Sequence, residues 1–474
     1  MNLRATLPTA IAWQLAARIV ERGLRFGSSV ILARVLAPED FGALAAVLVV
    51  AGMAEALTAL GIDQAIAQSA RASDAKFLGT AFRMSAFRGV ALALAIFLSA
   101  PLVGWYFERD DLDNLVRVVA IASLCTGLAN PWVQSERRAL RLQPLSISMI
   151  AAGLAQVAVA LFGASMGLGA IALAFAYVAA AFAGTLAGWV MLPRRLDLGR
   201  DEASVQELRG FIGRAAGIPF LIALFLQMPA LVLGRATGLG ELGIFTLAQR
   251  LTSLPGEIAL PVFGSVLTPA YAQLRDDLNK LRRAWLLAMM AVLVLIAPAA
   301  ATVAVLDGRV AALVYGEAYA GPNGLIALLA LGSLFSVATS CCGPLFWGVG
   351  RPDLDRIAMA VRLGALVALA LPATTAFGAV GFAAAFAGAH FVAMAASIAF
   401  AARLTRASFG AVVRALFPAL GLAAIVAGLT HLMLRIAIAR GQDGPWMTTV
   451  ILAFGAWAMI ALGFGLRRAR RAAR

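Results

Sequence analysis

Charge is scarce in this sequence. Asp, Glu, Lys and Arg make up 13% of its 474 residues, about half the share carried by a soluble domain. That is too little polar side chain to cover a string of water-soluble domains, so that class is excluded. His390 and His431 are the only histidines, too few and too scattered for a metal site. Cys125, Cys341 and Cys342 fall inside apolar stretches and form no CxxC. They read as buried thiols rather than a disulfide or metal framework. A GxxxxGK(S/T) phosphate loop, an HExxH helix and a GxSxG elbow are all missing. With no nucleotide motif, an ion or potential gradient is the default energy source for any transport. The first residues carry one arginine ahead of a long, polar-interrupted helix and do not read as a removable signal peptide.

Apolar residues, by contrast, make up 62% of the chain, and mean hydropathy is +0.89, the composition of a protein whose solvent is lipid. A helix needs about 20 mainly apolar residues to cross a bilayer. Fourteen such stretches follow one another: 10–33, 41–62, 84–106, 113–132, 145–164, 168–192, 212–234, 242–265, 284–306, 323–346, 354–375, 378–402, 412–434 and 446–466. The expected fold class is an all-α integral membrane protein with about 14 transmembrane helices. Spans one, seven and eight are less apolar than the rest, and every connection is too short for a folded domain. The net charge of +15 would suggest nucleic acid in a soluble protein. Here it lies in short loops and in the tail Arg467, Arg468, Arg470, Arg471 and Arg474, without the aromatic-basic interleaving of RNA binders. No nucleic-acid partner is expected.

The same basic residues set an orientation. With the N-terminus in the cytoplasm, the inward connections hold Arg71, Lys76 and Arg83, then Arg137, Arg138 and Arg141, then Arg194, Arg195, Arg200 and Arg209. Further along they hold Arg275, Lys280, Arg282 and Arg283, then Arg351, and finally Arg403 and Arg406. Opposite connections carry single residues such as Arg34, Arg109, Arg235 and Arg309, plus the pair Arg435 and Arg440. Both termini are therefore expected in the cytoplasm. A repeat runs through the chain. Leu32-Ala33-Arg34 followed by Asp40-Phe41-Gly42 returns 201 residues later as Leu233-Gly234-Arg235 followed by Glu241-Leu242-Gly243. Gly167 and Phe175 are echoed by Gly378 and Phe386. Six spans separate the copies, so both share one orientation, the parallel repeat found in secondary transporters. The expected division is an N-terminal six-helix lobe at 1–200, a C-terminal six-helix lobe at 201–405, and two additional helices with a basic tail at 406–474.

Some charges fall where lipid should be. On a helical wheel Gln14, Arg18, Glu21, Arg22, Arg25, Ser28 and Ser29 occupy one arc of span one, of about 120°. An arginine facing lipid at mid-bilayer costs at least about 2.5–3.5 kcal/mol. Arg18, Arg22 and Arg25 are therefore expected to line a watery cavity; an internal ion-pair lattice with Glu21 and a cationic surface helix are the alternatives. Glu55 in span two and Arg88 in span three are single buried charges, for which pairing and substrate contact weigh equally. Arg250 and Glu257 share one face of span eight with Ser253 between them, in a helix interrupted by Pro255 and Pro261. Arg214 and Arg362 lie near inner span ends, where snorkelling accounts for them as well.

The run Ile31-Leu32-Ala33-Arg34-Val35-Leu36-Ala37-Pro38-Glu39-Asp40-Phe41-Gly42 resembles the LAR-x-L-x-PEDFG signature of bacterial polysaccharide exporters. These are flippases of the multidrug/oligosaccharidyl-lipid/polysaccharide exporter superfamily. Leu60, Gly61 and Ala65, the element Gln134-Ser135-Glu136-Arg137-Arg138, and Gly243 through Ala248 to Pro255 are similar to further family elements. The resemblance implies two six-helix lobes around a cationic cavity. It also implies translocation of undecaprenyl-pyrophosphate-linked oligosaccharide across a bacterial inner membrane by alternating access, without a bound cofactor, coupled to H⁺ or Na⁺ in some members. A polysaccharide polymerase and a chain-length regulator would be partners besides membrane lipids. Carried over by position, the cavity residues are Arg18, Arg22, Arg25, Glu55 and Arg250; Arg88 and Glu257 join them as intramembrane charges. Arginine's planar fork suits a pyrophosphate. A lipid II flippase is the nearest alternative. A multidrug antiporter and a membrane polymerase or ligase fit less well, the first for its twelve helices and the second for its large outer loop.

Overall fold

The computed structural model describes residues 3–58, 62–139, 141–199, 201–215 and 218–439, and among these the regular elements are all helices. In order they are α1 (Leu3–Leu32), α2 (Pro38–Leu57), the short α3 (Ile62–Gln68), α4 (Ala75–Leu98), α5 (Ala100–Phe107) and α6 (Leu112–Gly127). Then come α7 (Trp132–Arg138), α8 (Gln143–Ser165), α9 (Ala170–Met191), α10 (Glu202–Ala215), α11 (Ile218–Ala236) and α12 (Leu239–Leu274). The last are α13 (Leu278–Leu306), α14 (Gly308–Tyr315), α15 (Leu325–Ser340), α16 (Gly343–Gly348), α17 (Pro352–Thr405) and α18 (Phe409–Ala439). Two compact units, Met1–Thr246 and Leu247–Arg474, divide the chain inside α12. The first unit thus takes in α10, α11 and the opening turns of α12 besides the expected first lobe.

The described parts of the first thirteen expected stretches lie mostly on these helices, and 59–61, 216–217 and 446–466 lie outside the described residues. Eight described helices are long and apolar enough to cross a membrane, and the bent pair α6–α7 passes the same test when taken as one span. This is a multi-pass membrane protein. At 54 residues and 1.5 Å per residue, α17 would run about 80 Å, more than twice a hydrocarbon core. It breaks at Phe377 and Gly378, where Gly378 takes a φ of 57°, and so carries the expected eleventh and twelfth spans in one element. The connection after span six is partly helical. It contains α10, whose Leu208 is fully buried with Ile66 and Phe77. In the second unit Tyr271, Trp285, Met289 and Phe346 pack around the free thiols of Cys341 and Cys342.

The PEDFG run explains itself locally. Pro38 opens α2, where its missing N–H is no loss. Asp40 turns back to accept the Ala37 N–H at 3.0 Å, and two carboxylates meet the positive end of the helix dipole. Gly42 serves close packing instead, since a Cβ there would overlap the carbonyl oxygen of Leu239. The repeat supplies the reciprocal contact, because a Cβ on Gly243 would overlap the carbonyl oxygen of Pro38. Leu239 and Gly243 stand 201 residues beyond Pro38 and Gly42. The two copies of the motif therefore pack on each other in matching register.

Candidate functional site

A cavity of about 500 Å³ opens within the first unit, lined among others by Glu55, Asp63, Arg88, Asn130, Gln134 and Ser148. Arg88 donates from Nε to Thr58 Oγ1 at 3.2 Å and from Nη2 to the Glu55 carbonyl at 3.3 Å. It thereby caps the C-terminus of α2, where carbonyls lack helical partners and cations are favoured. Glu55 and Arg88, singled out from sequence as separate charges, thus share one cavity, and Asp63 joins them. Oxygens of Gln134 and Ser148 are buried with no hydrogen-bond partner.

One wall of this cavity is the break between α6 and α7, a bend of 56°. Breaking a helix in lipid frees backbone groups that cost several kcal/mol each if left unsatisfied. The break is stitched to α9 from both sides. Asn130, 3% exposed, donates from Nδ2 to the carbonyls of Gly188 and Leu192 at 3.0 and 2.9 Å and accepts the Trp132 N–H. In return Thr185 Oγ1 and Trp189 Nε1 donate to the carbonyls of Cys125 and Leu128, each at 2.9 Å. The signal for this was the Asn130-Pro131 pair, a helix-breaking dipeptide at the end of an apolar run.

On α1, Arg18, Arg22 and Arg25 are exposed, whereas Glu21 turns toward Gly153 of α8. Arg25 pairs with Glu21 at 3.0 Å, so part of the expected arginine row belongs to a local ion pair. Ser28 donates to the Arg25 carbonyl and Ser29 is buried. The side chain of Gln14 lies outside the described set, as do those of Arg214 and Pro261. Arg250 and Glu257 belong to the second unit on α12. Arg250 is exposed, and Ser253 between them donates to Glu257 at 3.0 Å.

Charge also organises the end of the first unit where α3, α7 and α10 meet. Arg71 binds Asp74 and Asp201, each at 2.7 Å. Ser204 and Arg71 together hold the Asp201 carboxyl down to about 2, and Arg71 also holds Asp74 below the ordinary carboxylate range. Glu136, nearly buried, takes Arg194 at 2.8 Å and Arg141 at 3.4 Å. Apart from Glu136, on α7, these partners lie outside the candidate spans, and pairwise matching between distant loops left no pattern in sequence to find them by.

The sequence pattern described as "Polysaccharide biosynthesis protein" matches residues 31–322, more than half of the chain and starting at the PEDFG run. The chain belongs to this family. It is 24% identical over 360 residues to the lipopolysaccharide biosynthesis protein WzxC of Escherichia coli (strain K12), covering 75% of this chain and 72% of that one. To the succinoglycan biosynthesis transport protein ExoT of Rhizobium meliloti (strain 1021) it is 25% identical over 353 residues, covering 73% and 70%. The lipid II flippase MurJ in an inward closed conformation shares its fold, with a TM-score of 0.67 at 12% identity over 97% of this chain and 99% of that one. Family members of this kind are transporters, and the resemblance read from residues 31–42 leads to the same family.

Proposed function

We propose that this protein is a flippase that moves undecaprenyl-pyrophosphate-linked oligosaccharide across a bacterial inner membrane by alternating access, for surface polysaccharide biosynthesis. The observation that carries the reading is the set Arg18, Arg22 and Arg25, exposed on a helix of a membrane-spanning polysaccharide biosynthesis protein. An arginine row at membrane depth needs water or anions beside it; Glu21 meets Arg25, and a pyrophosphate would sit against the exposed face of the row. Glu55 and Arg88 share the cavity of the first unit, and in the second unit Arg250 and Glu257 on α12 are the further candidate substrate contacts. Two relatives named for lipopolysaccharide biosynthesis and succinoglycan transport support the substrate class. In this reading the chain has fourteen spans, as two six-helix lobes and two added helices, with both termini cytoplasmic. It performs no covalent chemistry, draws on an H⁺ or Na⁺ gradient, and hands its cargo to a polymerase and chain-length regulator.

The test is export in a deletion strain carrying single substitutions. Charge-assisted contacts are worth about 1.5–3 kcal/mol, so Arg18→Ala or Arg22→Ala should cut export roughly 10- to 100-fold while thermal stability stays near wild type. Arg22→Lys should rescue only part, keeping charge without the fork. Loss of stability in Arg22→Ala, relieved by adding Glu21→Ala, would instead make the row an internal lattice and remove the basis of the reading.

A further inference from the structure

We propose that the groove between α4 and the start of α10 binds the headgroup of a zwitterionic phospholipid, phosphoethanolamine, with its acyl chains lying along α4. The groove holds about 410 Å³ and is lined by Arg83, Met84 and Phe87 of α4 and by Asp201, Glu202 and Val205. Arg83 donates from Nη2 to the Gly199 carbonyl at 3.1 Å; its remaining N–H groups meet no acceptor among the described residues. Asp201 is already committed to Arg71 and Ser204. Glu202, the next residue, is exposed, and its carboxylate has no partner among the described residues. The groove thus offers one guanidinium and one carboxylate, carried by two different elements, with a second acid close by.

That charge pattern selects among headgroups. A singly anionic headgroup would satisfy Arg83 but face Asp201 and Glu202. A zwitterion satisfies both signs: its phosphate takes the guanidinium fork, and its ammonium donates to Glu202. A trimethylated amine has no N–H to donate, so a primary ammonium fits best. The apolar part is provided for as well. Phe87, Val90, Leu94 and Leu98 are each more than half exposed, and at 100° per residue they lie on the same face of α4 as Arg83. From Phe87 to Leu98 the helix rises about 16 Å, the depth of one leaflet of hydrocarbon. Cation, groove and acyl track are therefore stacked in the order of a lipid molecule.

The experiment measures lipid binding to the purified full-length protein by native mass spectrometry. Phosphatidylethanolamine, its N-methylated series up to phosphatidylcholine, and phosphatidylglycerol are compared with identical acyl chains. Wild type should hold phosphatidylethanolamine about tenfold more tightly than either other end-member, the effect of one charge-assisted contact. Glu202→Gln should abolish the preference over phosphatidylcholine, and Arg83→Ala should weaken phosphatidylethanolamine about tenfold. Glu202 supports no described contact, so its variant keeps the test valid even if Arg83→Ala unfolds. Equal binding of phosphatidylethanolamine and phosphatidylglycerol would reduce the groove to a simple anion site. Equal binding of all three lipids, or a preference untouched by Glu202→Gln, would mean ordinary bilayer contact. Each of these results overturns the proposal.

Discussion

At the end of the first unit where α2 and α12 begin, the contact is backbone against backbone; at the opposite end, where α3, α7 and α10 meet, it is charge against charge. Gly42 and Gly243 leave no space between a helix and a carbonyl oxygen. The far end closes through Arg71 with Asp74 and Asp201, Glu136 with Arg194 and Arg141, and Arg138 donating to the Gln68 carbonyl at 2.6 Å. The first kind of contact tolerates no added atom and does not feel salt. The second tolerates substitution, since each exposed pair is worth about 0–1 kcal/mol, but responds to ionic strength and pH. The polar cavity of Glu55, Asp63 and Arg88 lies beside α3, toward this charged end.

The contrast is tested hardest by a methyl group placed where the backbones touch. Gly42→Ala gains about 1 kcal/mol of helix propensity but must push a carbonyl aside, an overpacking cost of about 1–3 kcal/mol. A backbone cannot swing away as a side chain can, so the cost should win. Gly42→Ala and Gly243→Ala should each lower the melting temperature, whereas Gly23→Ala, with open space around it, should not. Stability unchanged by either of the first two would show that the close contact does not hold this end.

At the charged end effects should be smaller and salt-dependent. Glu136→Gln keeps the shape but removes the charge from two partly exposed arginines, an expected loss of about 1 kcal/mol. Melting curves at low and at high salt should show that loss shrinking, while the loss in Gly42→Ala stays constant. A salt-independent loss in Glu136→Gln would mean that packing, not charge, closes this end.

The smallest effect concerns pH. The Asp201 carboxyl is held at about 2 in the fold, against 3.8 ordinarily. A depressed carboxyl contributes stability above its unfolded value and loses it as pH falls. The latch of Arg71 on Asp201 should therefore be intact above about pH 4 and release toward pH 2. Pepsin cleavage within 193–201 should rise across that window, and Asp201→Asn should already be cut at pH 4. Equal cleavage of both proteins throughout would detach the latch from this carboxylate.

Much of the fold was legible because lipid imposes one rule: backbone must pair within its own segment, so long apolar runs are helices. α10 escaped because its charged residues read as a connection, although Val205 and Leu208 were spaced for one face of a helix. In the site, Glu55 and Arg88 stood out as charges in apolar runs, a property visible one residue at a time. That they share a cavity with Asp63, and that Arg88 caps α2, depends on which helices pack together, and no periodicity encodes that. The row on α1 was visible as an arc, but the pairing of Arg25 with Glu21 divides it in a way the wheel alone left open.

The reciprocal contact of the two glycines has the form of an isologous interface, the kind by which identical subunits pair across a two-fold axis. Pro38 and Gly42 do for Leu239 and Gly243 what those residues do for them. One steric solution is used twice within a single chain, as though a dimer had been joined end to end. Unlike a true dimer, this arrangement lets either half change alone. A substitution at one glycine perturbs one carbonyl and leaves its twin in place, so the joined chain can lose half of this contact without losing both.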